Sequence, residues 1–212
     1  MRVSLLILFG LLVIPFSAFS QADSVMLAPD LRLEDGIYLS YDDFRRNKSI
    51  KKQQVISKLD KSQLEFLSKV IFEEKFSYEE NGTVVTLESK TVWGYIQNNI
   101  WHVNFKGDFY RVPVFGSVSY LVANVTVINP GFYDPRFGVS TASGTTKEIH
   151  EFLMNFYDGL LIEFTLDAAE QLLVRDSALF EEYKKLGRRK QKEQIYGYIR
   201  KYNARHPVYF LR

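Results

Sequence analysis

The spacing of apolar and polar residues between positions 75 and 128 has the period of β-strands. Successive runs rich in Val, Ile, Tyr, Phe and Trp are separated by short breaks at Asn81-Gly82, Asn98-Asn99, Gly107 and Gly116. Regular short spacing of this kind is typical of an antiparallel meander. Asn-Gly also tolerates the two positive φ values of a type I′ hairpin turn. The pattern predicts an antiparallel β meander, forming a small barrel-like or curved sheet, at the centre of the fold.

The run at residues 100–106 indicates which side chains share a face of this sheet, because successive residues of a strand point to opposite faces. The residues expected on one face are Trp101, Val103 and Phe105, and those expected on the other are His102, Asn104 and Lys106.

Two further local signals lie outside the meander. Leucine and isoleucine at helical spacing predict a helix over residues 61–74, with Asp60 as its N-cap and Gln63 as the capping-box partner. Asp158-Gly159 lies between two apolar runs and predicts a second hairpin.

The C-terminal region has the period of helices. Thr165 is the expected N-cap of one helix, and Asp176 or Ser177 starts a second, which Gly187 is expected to end. A third helix is expected over residues 188–203, with its apolar residues on one side. The sequence thus predicts an α+β fold with a cluster of about three C-terminal helices.

Two segments have no period of their own. Residues 129–146 combine Pro, Gly, Ser and Thr and are expected to form a long exposed loop, and long loops of compact domains are functional or disordered. Residues 21–35 are expected to be a flexible lead-in. The remainder, residues 36–212, is predicted to be a single domain.

The first twenty residues have the features of a secretory signal peptide. Arg2 supplies a positive charge, residues 4–19 are almost uninterruptedly apolar, and small side chains precede the expected cleavage between Ser20 and Gln21. The alternative is a membrane anchor, but the run is at the short end of the roughly 20 residues that span a bilayer. We expect an exported protein, periplasmic or at the outer surface, without a transmembrane segment after cleavage.

Composition narrows the chemistry. The chain has no cysteine, which excludes thiol nucleophiles, cysteine-based metal sites and lipid attachment to a cysteine. An exported domain without disulfides must depend on its apolar core for stability. The net charge of +2 argues against nucleic acid as a partner.

Charge is nevertheless uneven along the chain. Residues 166–212 hold 11 Lys and Arg against 6 Asp and Glu, whereas residues 21–165 hold 15 against 19. The basic residues that could contact an envelope protein or an anionic surface are Lys184, Lys185, Arg188, Arg189, Lys190 and Lys192. The alternative is the solvated face of two amphipathic helices.

Aromatic residues form 15% of the chain, which suggests a second kind of surface. Trp93 and Trp101 could stack on the sugar rings of a glycan. The alternative is that they bury large areas in a core that lacks disulfides.

Catalytic and cofactor signatures are missing from the sequence. His102, His150 and His206 lie more than forty residues apart, unlike the closely spaced ligands of common zinc motifs. No serine has the Gly-x-Ser-x-Gly setting of a nucleophile elbow, and no glycine-rich loop has the spacing that holds phosphate. We predict no cofactor, no metal and no catalytic residue.

Two serines follow an aspartate and precede an apolar residue, a pattern resembling an O-glycosylation acceptor of some Gram-negative bacteria. They are Ser24 and Ser177. At Ser177, helix capping explains the same residues.

Five stretches together resemble a family of small exported proteins of unknown function from Bacteroidetes-type Gram-negative bacteria. They are residues 36–44 (GIYLSYDDF), 93–95 (WGY), 107–111 (GDFYR), 116–120 (GSVSY) and 198–207 (YIRKYNARHP). The resemblance implies a periplasmic or outer-surface location. It supplies no active site, because these motifs are signatures of packing and turns.

Three hypotheses of function follow. The first is a non-enzymatic envelope protein that binds a partner through the 129–146 segment or the basic helices. The second is a glycan-binding module with exposed aromatic residues. The third is a hydrolase whose site is assembled from distant residues, among them His102 or His150.

Overall fold

The computed structural model describes residues 24–26, 33–131, 133–140 and 142–211. These residues form a mixed α+β fold of antiparallel sheets with helices gathered near the C-terminal end, as the sequence predicts. The predicted signal peptide, its cleavage site at Ser20 and Gln21, and most of the 21–35 lead-in lie outside the described residues. Within the described part of the chain, no helix combines the length and apolar character needed to cross a membrane.

The elements run through the described residues as follows. The strands are β1 (Ser24–Met26), β2 (Gly36–Tyr38), β3 (Ile50–Lys51), β4 (Val55–Ile56), β5 (Lys75–Glu80), β6 (Thr83–Glu88), β7 (Gly94–Gln97), β8 (Ile100–Phe105), β9 (Asp108–Arg111), β10 (Val118–Asn129), β11 (Tyr133–Asp134), β12 (Val139–Ser140), β13 (Gly144–Asn155), β14 (Leu161–Glu163) and β15 (Tyr209–Leu211). The helices are α1 (Tyr41–Arg45), α2 (Phe66–Phe72), α3 (Leu166–Leu173), α4 (Ser177–Lys184) and α5 (Arg188–Arg205), and Ser89–Thr91 form a 3₁₀ turn.

Three antiparallel sheets contain most of these strands. Their orders are β3-β2-β7-β8-β9, β4-β5-β6 and β10-β13-β14, while β1 pairs with β15 and β11 with β12. Strands β7, β8 and β9 form a meander, but β5 and β6 belong to a separate sheet. The 3₁₀ turn interrupts the path from β6 to β7, and β2 occupies the edge of β7 where β6 would otherwise pair.

The sheet of β7 and β8 is covered on both faces, which divides the core into layers. On one face, Trp101 and Val103 join an aromatic cluster around Phe44, whose side chain is fully buried. On the other, Tyr95 belongs to the apolar cluster that α2 covers, and the ring of His102 stacks on it at 4.5 Å. A third cluster joins α3, α4 and α5 to the buried ends of β10 and β13. The predicted alternation along β8 is thereby confirmed.

Local signals of turns and helix starts are confirmed where the structure bonds them as expected. Asn81-Gly82 has φ values of 51° and 79°, as a type I′ turn requires. The Thr165 hydroxyl accepts from the Ala168 N–H at 3.0 Å, and the Asp176 carboxylate accepts from the Leu179 N–H at 2.9 Å. These bonds satisfy N–H groups that a helix start leaves without partners.

Two predicted helix boundaries are wrong. The early helix begins at Phe66 and not at residue 61, because the Asp60 carboxylate accepts from the N–H and hydroxyl of Ser62 and stabilises a turn there. Leu64 is left 72% exposed. Gly187 does not end α4 in a left-handed conformation; with φ of −65° it is the N-cap of α5, since only three residues separate the two helices.

The predicted loop at 129–146 is shorter than expected and has structure of its own. Strand β10 continues to Asn129, β13 begins at Gly144, and the short β11–β12 pair lies between them. The Thr-rich stretch that suggests a loop is compatible with a strand, because Thr is β-branched and favours extended backbone.

Candidate functional site

A two-stranded arm extends the third sheet beyond the core. Strands β10 and β13 pair with each other over their full twelve residues. The first half of β10 and the second half of β13 are mostly buried, whereas residues 144–149 are exposed and residues 124–129 are exposed or half-buried. We call residues 124–149 the arm; it includes the β11–β12 pair at its tip.

The arm has one face on the side of the helices, and exposed aliphatic side chains lie on it beside the polar Asn124, Thr126, Thr145 and Lys147. Ile128 and Ile149 lie on it with exposed fractions of 73% and 75%, and Val122 begins the same face at the base. Val122 and Ile149 are diagonal neighbours across the two strands. On the opposite face, Val125 is half-buried against the aromatic cluster. The helix-side face therefore offers large aliphatic side chains with nothing among the described residues covering them.

The edge of β13 next to β14 is open along the arm. Pairing with β14 ends where the Phe164 N–H donates to the Glu151 carbonyl at 2.8 Å. Every second residue of a strand directs its backbone groups to the same side. The next residues that point outward are Ile149, Lys147 and Thr145, and no described residue bonds to their N–H or C=O groups. This edge is therefore available for another strand.

An aromatic cluster fills the angle between the base of the arm and α5. Tyr196 stacks on Phe164 with 5.1 Å between ring centroids and meets Tyr120 edge-on at 5.6 Å. Its hydroxyl donates to the Glu151 carboxylate at 2.7 Å. Burial, and then this bond to an anion, raises the pKa of Tyr196. Beside the cluster, a cavity of about 130 Å³ is lined by Val114, Tyr120, Tyr196, Ile199 and Arg200.

His150 ties the base of the arm to β14 through two carboxylates. Its Nδ1 atom lies 2.7 Å from Glu163 Oε1, and its Nε2 atom lies 3.5 Å from Glu148 Oε2. The hydrogen bond with Glu163 is the main cause that raises the pKa of His150 above the ordinary 6.5. Both ring nitrogens face carboxylates, so the protonated ring is the form that this site favours.

We expect the link through His150 to weaken as the pH rises. A folded-state pKa above 6.5 means that the protonated ring stabilises the fold fully below pH 6.5, and that this stabilisation is lost as pH rises through the folded-state value. The Glu163→Gln substitution should lower the pKa of His150 in an NMR titration. His102, whose pKa is lowered mainly by burial, is the internal control and should not change. A His150 that titrates at or below pH 6.5 in the unmodified protein would show that these ion pairs are absent in solution.

Three of the six residues of the predicted basic surface form ion pairs within the helical cluster. The pairs are Lys184–Glu170, Arg188–Glu170, Arg188–Asp167 and Arg189–Glu193, with N···O distances of 3.0 to 3.2 Å. Among the described residues, Lys185, Lys190 and Lys192 have no ion pair and are exposed. The arrangement matches the solvated face of two helices, with three cations left for a partner.

Both tryptophans belong to the aromatic cluster of the core. Trp101 is 3% exposed and stacks on Phe44 at 4.4 Å. Trp93 is half-buried and packs against Phe44 at 4.7 Å and Tyr41 at 5.3 Å. Trp101 therefore presents no face to a sugar, and Trp93 uses its ring for internal packing.

The histidines stay apart, and no serine hydroxyl in the described ranges bonds to an imidazole ring. His102 lies in a sheet, while His206 Nε2 lies 3.1 Å from the carboxylate of Asp176, which also caps α4. The hydroxyl of Ser117 donates to the backbone carbonyl of His206 and not to its imidazole. In the part of the chain that the structure describes, no three His, Asp or Glu side chains are grouped to hold a metal ion.

Ser177, one of the two serines in the acceptor pattern, is the first residue of α4 and is exposed. The preceding Asp176 caps the helix, so the local sequence has a structural role there. The side chain of Ser24 lies outside the described residues.

The residues that define the arm surface were not singled out by the sequence. Ile128, Ile149 and Glu151 lie in runs that alternate at the β period, so a strand signal was present. What the sequence could not indicate is that the two runs pair beyond the core and leave the aliphatic side chains of one face open to solvent.

Comparison with known proteins adds no relative: no family model, curated protein or solved structure matches this chain.

Proposed function

We propose that this protein is a non-enzymatic binding domain of the bacterial envelope that holds a partner protein through its arm. The observation that carries the proposal is the arm itself, with an open strand edge next to the exposed aliphatic side chains of Ile128 and Ile149. Main-chain groups on a free edge pair readily with an extended segment of another chain, and neighbouring side chains then supply specificity.

The arm contributes little to the core that stabilises the domain. Residues 144–149 are all exposed, and Ile128 and Ile149 remain open to solvent. Exposed apolar surface next to an open strand edge favours association with another molecule. These features support binding as the purpose of the arm.

Export is the second part of the proposal, and it rests on the sequence. The expected signal peptide, with cleavage between Ser20 and Gln21, directs the chain out of the cytoplasm, and the lack of cysteine is compatible with an envelope location without disulfides. The partner is therefore expected among proteins of the same compartment.

The proposal is tested by removing the arm while preserving the fold. One variant replaces residues 124–149 with Asn-Gly, joining Ala123 to His150, which face each other as a strand pair. The matched control replaces only residues 130–143, again with Asn-Gly, and keeps both arm strands. A second control exchanges Lys185, Lys190 and Lys192 for alanine.

The partner is identified in the native envelope with a photo-crosslinking residue at position 149, and the same residue at exposed Leu160 is the control. The purified partner is then titrated against each variant. We expect the armless variant to fold but to bind at least about 100-fold more weakly, because the docking surface is gone. The tip-deleted and alanine variants should bind normally. Equal affinity for the armless variant would overturn the proposal, and loss only in the alanine variant would move the site to the helices.

A further inference from the structure

We infer that the open edge of β13 binds an extended strand from a different protein, and that this strand carries an acidic residue opposite Lys147 and an apolar residue opposite Ile149. The inference rests on the proposed function of the arm and names the kind of partner that fits it.

Edge length selects β13 over β10. Along β10, the carbonyl of Asn124 accepts from the Tyr110 hydroxyl at 3.3 Å, which leaves only Thr126 and Ile128 pointing outward beyond it. Along β13, the backbone groups of Thr145, Lys147 and Ile149 bond to no residue in the described ranges, and β14 already lies antiparallel on the same edge. An added antiparallel strand would continue the line of β14 toward the tip of the arm.

Charge opposes pairing of this edge with a second copy of the chain. Only one antiparallel register pairs all three outward residues of both copies, and it places Lys147 opposite Lys147 of the second copy. Shifting the register by two residues toward the base places Glu148 opposite Glu148 of the second copy and needs the Glu151 carbonyl, which already accepts from Phe164. Shifting the register by two residues toward the tip leaves Ile149 without an opposite strand residue, because β13 of the second copy begins at Gly144. Like charges directly opposite each other destabilise a strand pair.

The side chains of β13 also predict the sequence of a strand from another protein, because opposed side chains should match in charge and polarity. Side chains of directly opposed residues lie on the same face, with Cβ atoms roughly 4.5–5.5 Å apart. On the helix-side face, an apolar residue of the added strand would pack against Ile149. Two positions later in that strand, an acidic residue would pair with Lys147. On the opposite face, the residue between these two in the added strand would be basic and would pair with Glu148. The matching segment therefore reads apolar, basic, acidic, in the direction antiparallel to β13.

Two synthetic peptides test the inference, both acetylated and amidated. The matched peptide is Thr-Val-Lys-Glu-Thr-Val, and the control, Thr-Val-Glu-Lys-Thr-Val, has the same composition with the charges exchanged. Each is titrated to millimolar concentration into isotope-labelled mature protein. We expect the matched peptide to shift the amides of Thr145, Lys147 and Ile149, protect them from solvent exchange, and bind about tenfold more tightly than the control, because two charge pairs change sign.

The double variant Lys147→Glu and Glu148→Lys should reverse the preference between the peptides. Both residues are exposed, but the change at Glu148 also removes its 3.5 Å contact with His150 Nε2, so chemical denaturation of the double variant is compared with that of Glu148→Gln to confirm that both fold. Absence of amide shifts, equal binding of the two peptides, or an unreversed preference would each overturn the inference, as would a concentration-dependent dimer that the armless variant cannot form. If these outcomes occur while the armless variant still loses its envelope partner, the inference fails and the proposed function stands.

Discussion

Replacement of Phe44 by alanine is expected to lower the free energy of unfolding by about 3–5 kcal/mol, the range typical for truncating a buried phenylalanine. Phe44 is fully buried, although it lies in the five-residue helix α1. The aromatic rings that pack against it are those of Tyr38, Tyr41, Trp93, Trp101, Phe115, Phe156 and Phe210. These rings come from β2, α1, β8, the segments before β7 and β10, the region after β13 and the C-terminal strand, so the cavity would open where distant parts of the chain meet.

The measurement is chemical denaturation, with Phe72→Ala as the matched control. Phe72 is 90% exposed at the end of α2, so its truncation should change the free energy of unfolding by less than about 0.5 kcal/mol. Similar losses for the two variants would mean that Phe44 is not at the centre of the core.

Replacement of Asn203 by alanine is expected to cost about 2–4 kcal/mol, because it leaves two half-buried backbone groups without partners at roughly 1–3 kcal/mol each. The Asn203 side chain accepts from the Val118 N–H at 2.8 Å and donates to the Val118 carbonyl at 2.8 Å. This pair of bonds joins α5 to the first residue of β10, 85 positions earlier. We expect the Val118 amide to exchange faster with solvent in the variant.

A double-mutant cycle separates this contact from general helix effects. A Cβ at Gly116 would lie 2.5 Å from Asn203 Cγ, so Gly116→Ala should also destabilise the fold. The loss should shrink when Asn203 is already alanine, because the space is then free. Gln194→Ala, at an exposed position of α5, is the control and should be nearly neutral. Additive effects of Gly116→Ala and Asn203→Ala would contradict the proposed contact.

Several features of the fold could be predicted from the sequence because their causes are local. Asn81-Gly82 forms a tight turn since both residues accept positive φ, and Thr165 and Asp176 cap helices through their own short side chains. The alternation of Trp101 and His102 follows from the strand period alone. The class of fold, α+β with C-terminal helices, follows from the sum of such signals.

Other outcomes depend on which distant residues meet. The sequence shows a dense basic run, but only the packing of α3 against α4 and α5 brings Glu170 to Lys184 and Arg188 and pairs these two cations. Likewise, Trp101 is buried because α1 and the C-terminal strand cover its face of the sheet. Charge and aromatic content by themselves therefore could not separate a binding surface from a packed one.

The arm shows most clearly where local pattern and tertiary structure divide. Residue alternation determines that 118–128 is a strand, since it requires only the preference of each residue for extended backbone. Whether Ile128 and Ile149 lie in a core or in solvent depends on how far the helices reach along β10 and β13. Helix α5 packs only on their buried half, where Asn203 bonds to Val118 and Tyr196 to Glu151. Burial is a property of pairs of surfaces, so it was settled by the assembled fold and not by the order of residues along the chain.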